Sequence, residues 1–197
     1  MVACERQLLG LALAIIGFVG TIVICALPTW TVHKVDHQSS NNVQSEGLWK
    51  ACDTVSAELV ECKQYGKRLY ISLDLEVARA LIIIAIIIGV FGILLGVVGS
   101  KFINFVPDEM KKSKIAMVSG VAIVIAGLFV LIPVCWTTIT ITYVLQGDRV
   151  KREPGALLYI GWITTALLFL GGGLLCSSFI CRDGTDQDVE YANPHSL

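Results

Sequence analysis

The sequence predicts a membrane all-α fold, a four-helix transmembrane bundle carrying a small extracellular antiparallel β-sheet. Three observations predict it: four long apolar runs without charge, a polar β-patterned loop between the first two, and two cysteines close together inside that loop. Composition agrees, with 55% hydrophobic and 16% charged residues among 197 and a mean hydropathy of +0.73. Soluble domains carry about 25% charged residues, so lipid is the main solvent. A formal net charge of −1 offers no basic field for nucleic acid, which is excluded as a partner.

The runs at residues 8–27, 80–100, 115–136 and 156–180 hold no Asp, Glu, Lys, Arg or His. About 20 residues at 1.5 Å rise cover a hydrocarbon core of about 30 Å, so all four can span. Only helices or closed barrels satisfy the backbone in lipid. A cleavable signal peptide is the rival reading of the first run. That run is longer than a signal core of roughly 7–15 residues, and Pro28 and Trp30 suit a helix stop and an interfacial anchor. An uncleaved span is expected.

The chain therefore divides into extracellular loops at 28–79 and 137–155, a cytoplasmic loop at 101–114 and a cytoplasmic tail at 182–197, all within one domain, 1–197. Raw basic counts favour the opposite orientation, nine residues in the outer loops against six elsewhere. Density decides otherwise: Lys101, Lys111, Lys112 and Lys114 crowd the short loop, whereas long loops translocate largely regardless of charge. The tail is polar and acidic, with too few apolar residues to fold alone.

Glycines mark helix packing. Gly89, Gly92, Gly96 and Gly99 follow spacings of 3, 4 and 3, and Gly10, Gly17 and Gly20 repeat part of that pattern; small residues let backbones approach, within the bundle as the plain reading or between copies as its rival. Gly171-Gly172-Gly173 lies inside the fourth run and is no phosphate cradle. Beyond Val134 the third run continues as Thr137-Thr138-Ile139-Thr140-Ile141-Thr142. Its alternation suits a strand, and a prolonged helix competes with that reading.

In the large loop, residues 30–35, 43–52 and 59–65 read as short antiparallel strands. Cys52 and Cys62 are separated by nine residues, room for two strand ends and a turn, and a disulfide there would stabilise by roughly 3 kcal/mol. Metal ligation would need a second pair of ligands, and none stands at suitable spacing. His33 and His37 are read as a solvated pair. Trp49 is expected to pack on the disulfide or dip toward the membrane interface. None of the spans holds an ionisable side chain, which argues against proton relays and ion-coupled transport. No catalytic motif appears, so neither an enzyme nor a cofactor is expected.

Trp30, Gly47-Leu48-Trp49, Cys52 and Cys62 resemble the signature of the claudin family. Leu75-Glu76-Val77-Ala78-Arg79-Ala80-Leu81 and Lys151-Arg152-Glu153 followed by Gly155-Ala156-Leu157 extend the likeness to nearly the whole chain. Related tetraspan families of the peripheral-myelin and calcium-channel γ-subunit types share the Gly-Leu-Trp and cysteine core. The contexts around Arg79 and Gly155 look more like claudins, and no Asn-x-Ser/Thr sequon is present. The resemblance implies a plasma-membrane tight-junction protein with both termini cytoplasmic. It would self-associate in cis and trans, also with other claudins, and seal or selectively open the paracellular path to inorganic ions. The runner-up is a tetraspan accessory subunit modulating another membrane protein or channel.

Residues 28–79 carry seven acids against six bases, so placement must set any ion selectivity. The candidates are Asp53, Glu61 and Lys63. Lys63 follows the second cysteine, where the family resemblance implies a selectivity site, and a lysine there implies a cation barrier or anion preference. Candidate lateral and trans contacts are Arg68, Leu69, Tyr70, Tyr143 and Leu145. Cys181 and Cys176 are palmitoylation candidates. The family's aromatic-aromatic-Asn-Pro stretch is replaced by Tyr143-Val144-Leu145-Gln146-Gly147 in a shorter second loop. The ending His195-Ser196-Leu197 does not resemble the Tyr-Val end that recruits PDZ scaffolds, which leaves such a scaffold doubtful: either the tail is truncated or the cytoplasmic link is weak.

Overall fold

The computed structural model describes residues 2–37, 40–56, 59–64, 73–99, 109–144 and 151–191. Arg68, Leu69, Tyr70 and Leu145 lie outside these residues. Four helices, α1 (Val2–Ala26), α2 (Leu73–Val98), α3 (Glu109–Val144) and α4 (Ala156–Tyr191), accompany strands β1 (Thr31–His37), β2 (Ser40–Glu46), β3 (Lys50–Ser56), β4 (Leu59–Gln64) and β5 (Lys151–Pro154). Each helix contains a stretch long and apolar enough to cross a membrane: Glu5–Ala26, Asp74–Val98, Lys111–Tyr143 and Ala156–Ser177. This is the predicted fold class of four membrane helices with a small antiparallel sheet.

The helices outrun the charge-free stretches because a helix need not end where lipid does. α2 begins with Asp74 and Glu76 in its first turn, where carboxylates suit the positive end of the helix dipole. α3 settles the open question at residues 137–142 as helix. The hydroxyls of Thr137, Thr138, Thr140 and Thr142 donate to the carbonyls of Pro133, Val134, Trp136 and Thr138 at 2.7–2.9 Å. Threonine pays for its β-branch in a helix by capturing the i−4 carbonyl, and in this run all the threonines do so. α4 runs on to Tyr191, which corrects the expectation of an unfolded tail from residue 182. Extending an existing helix avoids the cost of nucleation, and Pro194 comes only later.

The chain forms two compact units. The first comprises Met1–Phe18, Ile87–Gly127 and Ala166–Leu197, and glycines set its helix contacts. A Cβ added to Gly171 would lie 2.7 Å from the backbone nitrogen of Ala14 and 2.8 Å from the Gly10 carbonyl oxygen. One added to Gly172 would lie 2.8 Å from the Gly120 carbonyl oxygen, while Gly173 faces open space. At about 100° per residue, consecutive glycines thus turn one bare backbone to α1 and the next to α3. Gly92 meets Ile123, and Gly96 meets Ser119 and Leu11, so this pair packs inside the unit. The buried Ser119 hydroxyl donates to the Gly92 carbonyl at 2.6 Å.

The second unit comprises Val19–Ile86 and Leu128–Thr165 and contains the whole sheet, ordered β4-β3-β2-β1-β5. Every pairing is antiparallel. Among its helical segments, Ile24, Ile82, Val130, Val134 and Leu157 are buried, and Gly161 lets α4 close on Val134.

Candidate functional site

The sheet is built from more strands than the sequence suggested. The single piece expected at 43–52 is broken by the Gly47-Leu48-Trp49 turn into β2 and β3. β5 was not foreseen, because Lys-Arg-Glu-Pro lacks β-branched or aromatic residues. It pairs with β1 from Thr31↔Pro154 to Lys34↔Lys151, and its proline sits at the end of an edge strand, where a missing donor is tolerated.

Cys52 and Cys62 stand directly opposite on β3 and β4 and are joined by a disulfide with S–S 2.00 Å. Strand alternation places Cys52 and Cys62 on one face and their neighbours on the other. On that second face the register aligns His33, Gln44, Asp53 and Glu61 in one row, and Thr31, Glu46, Ala51 and Lys63 in the next. The three ion-selectivity candidates therefore share a face. Lys63 Nζ lies 3.5 Å from Glu61 Oε2, both side chains well exposed, so the lysine's field is partly offset beside it.

Two residues on this face escaped the sequence reading. His33, expected in water with His37, is only 6% exposed, and its Nε2 lies 3.1 Å from Glu46 Oε2. A carboxylate only accepts, so the ring nitrogen donates. The alternation of β1 and its pairing with β2 could have flagged Glu46 as its partner. The side chain of His37 lies outside the described residues.

The signature residues do a different job, tying the sheet to helix ends. Trp30, 5% exposed, donates its indole N–H to the Ile24 carbonyl at 2.7 Å, capping the last turn of α1. Its backbone N–H donates to Glu46, and Gly155 N–H donates to the Trp30 carbonyl. Gly47 must be glycine because a Cβ there would collide with Pro28, as one on Gly155 would with Thr29. Leu48 is 1% exposed, and its carbonyl accepts from Arg79 Nε at 2.6 Å. The Arg79 guanidinium also sits 4.9 Å above the Trp49 ring. Trp49 is thus the platform for a helix arginine.

Of the remaining candidates, Tyr143 is 74% exposed near the end of α3. The Cys176 thiol is directed at the Met117 carbonyl, 3.8 Å away, and the Cys181 side chain lies outside the described residues. Among the described residues no cluster of His, Cys, Asp or Glu could hold a metal.

Four apolar helices and a disulfide-linked sheet hung from their ends define a tetraspan, multi-pass membrane protein. The description "PMP-22/EMP/MP20/Claudin family" matches residues 5–175. Claudin-4 of Bos taurus is 43% identical, the alignment covering 100% of this chain and 97% of the relative. Claudin-3 of Homo sapiens is 41% identical over 96% of this chain and 90% of its own length. Claudin-like protein ZF-A89 of Danio rerio is 40% identical over 100% and 97%. The chain belongs to the PMP-22/EMP/MP20/Claudin family, and within it to the claudins.

Proposed function

We propose that this claudin is a tight-junction component whose termini are cytoplasmic and whose sheet stands in the space between cells. It associates with copies of itself or other claudins in its own membrane and across the gap, forming a paracellular barrier or charge-selective path for inorganic ions. It performs no turnover. The observation that carries this reading is the rigid mounting of the sheet. Trp30, Leu48 and Arg79 lock it to helix ends, and the disulfide staples its β3–β4 edge, so the sheet meets a neighbour preordered, at low entropic cost.

Lys63, with Asp53 and Glu61 beside it, sets any selectivity by charge, as rings of charged side chains do in channels. Neighbours are contacted through Arg68, Leu69, Tyr70, Tyr143 and Leu145. Cys181 is the better acylation candidate, since the Cys176 thiol is directed toward α3.

The test is expression in cells that lack junctional strands. Continuous intercellular fibrils with reduced tracer flux are expected. Diffuse surface staining, with a channel protein co-purifying, would overturn the reading in favour of an accessory subunit.

A further inference from the structure

Lysine is almost never fully buried unless paired, yet Lys112 on α3 is only 6% exposed. No hydrogen bond or ion pair engages its ammonium among the described residues, whereas Lys111 and Arg6 each have an interaction partner. Lys112 occupies the buried stripe continued by Ala116, Ser119 and Ile123. One turn along, Ala116 packs on Gly99 at the end of α2, whose carbonyl accepts from Gln7 of α1 at 3.1 Å. Three helices of the first unit therefore converge beside this residue.

Helical side chains lean toward the N-terminus, so the Lys112 stem runs away from Ala116 toward the start of α3. Its nitrogen is not sealed, since no buried side-chain nitrogen or oxygen among the described residues lacks a partner. Among the described residues Lys112 thus has no partner, and its nitrogen keeps some access to its surroundings. Lys112 lies at the edge of the stretch Lys111–Tyr143, which is long and apolar enough to cross a membrane, and the edge of such a span is where headgroups stand. On the helices of the same unit, Leu8, Leu9, Leu94 and Val118 are exposed apolar residues suited to acyl chains. Exposed Lys114 adds positive charge outside.

We propose that Lys112 is the floor of a binding site for the phosphate of an anionic phospholipid, its acyl chains lying along the apolar surface of this unit. Basic recesses between membrane helices take such headgroups. With the termini cytoplasmic, as proposed above, the lipid would come from the inner leaflet.

The test uses the full chain in neutral detergent, with bound phosphatidylserine and phosphatidylcholine counted by native mass spectrometry. Wild type is expected to retain phosphatidylserine preferentially. Lys112→Gln should weaken its binding by at least about fivefold, Lys112→Arg should keep it, and Lys114→Gln should lower it by no more than about twofold. The proposal is overturned if Lys112→Gln binds phosphatidylserine like wild type, or if millimolar inorganic phosphate displaces the lipid, which would assign the site to a free anion. Equal binding of the two lipids by wild type overturns it without any variant, should Lys112→Gln not fold. Binding in detergent does not depend on which side of the membrane this end faces, nor on junction formation, so either part of the proposed function can fail separately.

Discussion

Arg79 makes two contacts whose loss can be sized. Its Nε–H donates to the Leu48 carbonyl at 2.6 Å, a hydrogen bond to a charged group that contributes about 1.5–3 kcal/mol. Its guanidinium over the partly exposed Trp49 ring adds about 0.5–1 kcal/mol. Arg79→Ala therefore removes at least about 2 kcal/mol from the hold on the β2–β3 turn, about thirtyfold in its opening equilibrium. The amides of Gly47 and Trp30 report that opening, because they donate to Lys50 and Glu46 at the turn. Hydrogen exchange in detergent should speed at both amides by about that factor, and Trp49→Leu, which loses the ring contact alone, by only about two- to fivefold. Exchange in Arg79→Ala within about twofold of wild type, or a larger effect from Trp49→Leu, would refute the anchoring argument.

Replacing both Cys52 and Cys62 by serine should cost about 3 kcal/mol, from the chain-entropy expression for a closed loop of about ten residues, seen as a lower denaturant midpoint for the sheet's amides. Gly171→Ala meets only backbone atoms of α1, and overpacking of about 1–3 kcal/mol should lower the thermal midpoint. Gly173→Ala faces open space and should raise it through helix propensity, by up to about 1 kcal/mol; shifts of the same sign would contradict the packing described. For Lys63→Asp, a mobile ion about 7 Å away feels each unit charge by about 0.6 kcal/mol in water, roughly halved by physiological salt. A change of two charges acts oppositely on sodium and chloride, so their permeability ratio across an epithelial monolayer should rise roughly fivefold. An unchanged ratio would remove Lys63 from the ion path.

The spans were legible because lipid imposes a rule that single residues reveal: a run without charge. That rule says nothing of where a helix ends, so α3 and α4 ran past the expected limits. The threonine run was ambiguous because β-branching and hydroxyl back-bonding pull opposite ways, and only the fold shows which wins. The disulfide was legible because Cys52 and Cys62 stand together in a polar loop. His33 and β5 were not, because both depend on pairing partners far along the chain. His33 is buried through Glu46, and Lys151–Pro154 is a strand only because β1 has a vacant edge. Arg79 was noticed through resemblance alone, and its physical role appeared once Leu48 was placed beneath it.

The late arrival of β5 has a consequence for biogenesis. Strands β1 to β4 emerge early from the ribosome, and their crosslink closes locally, yet β1 cannot receive its outer neighbour until residues 151–154 have been made. Throughout that interval β1 presents an unsatisfied edge, the feature by which nascent chains aggregate or engage chaperones. Completion of the sheet thus follows the making of α3 and comes before α4, so the sheet is whole before the last helix is delivered.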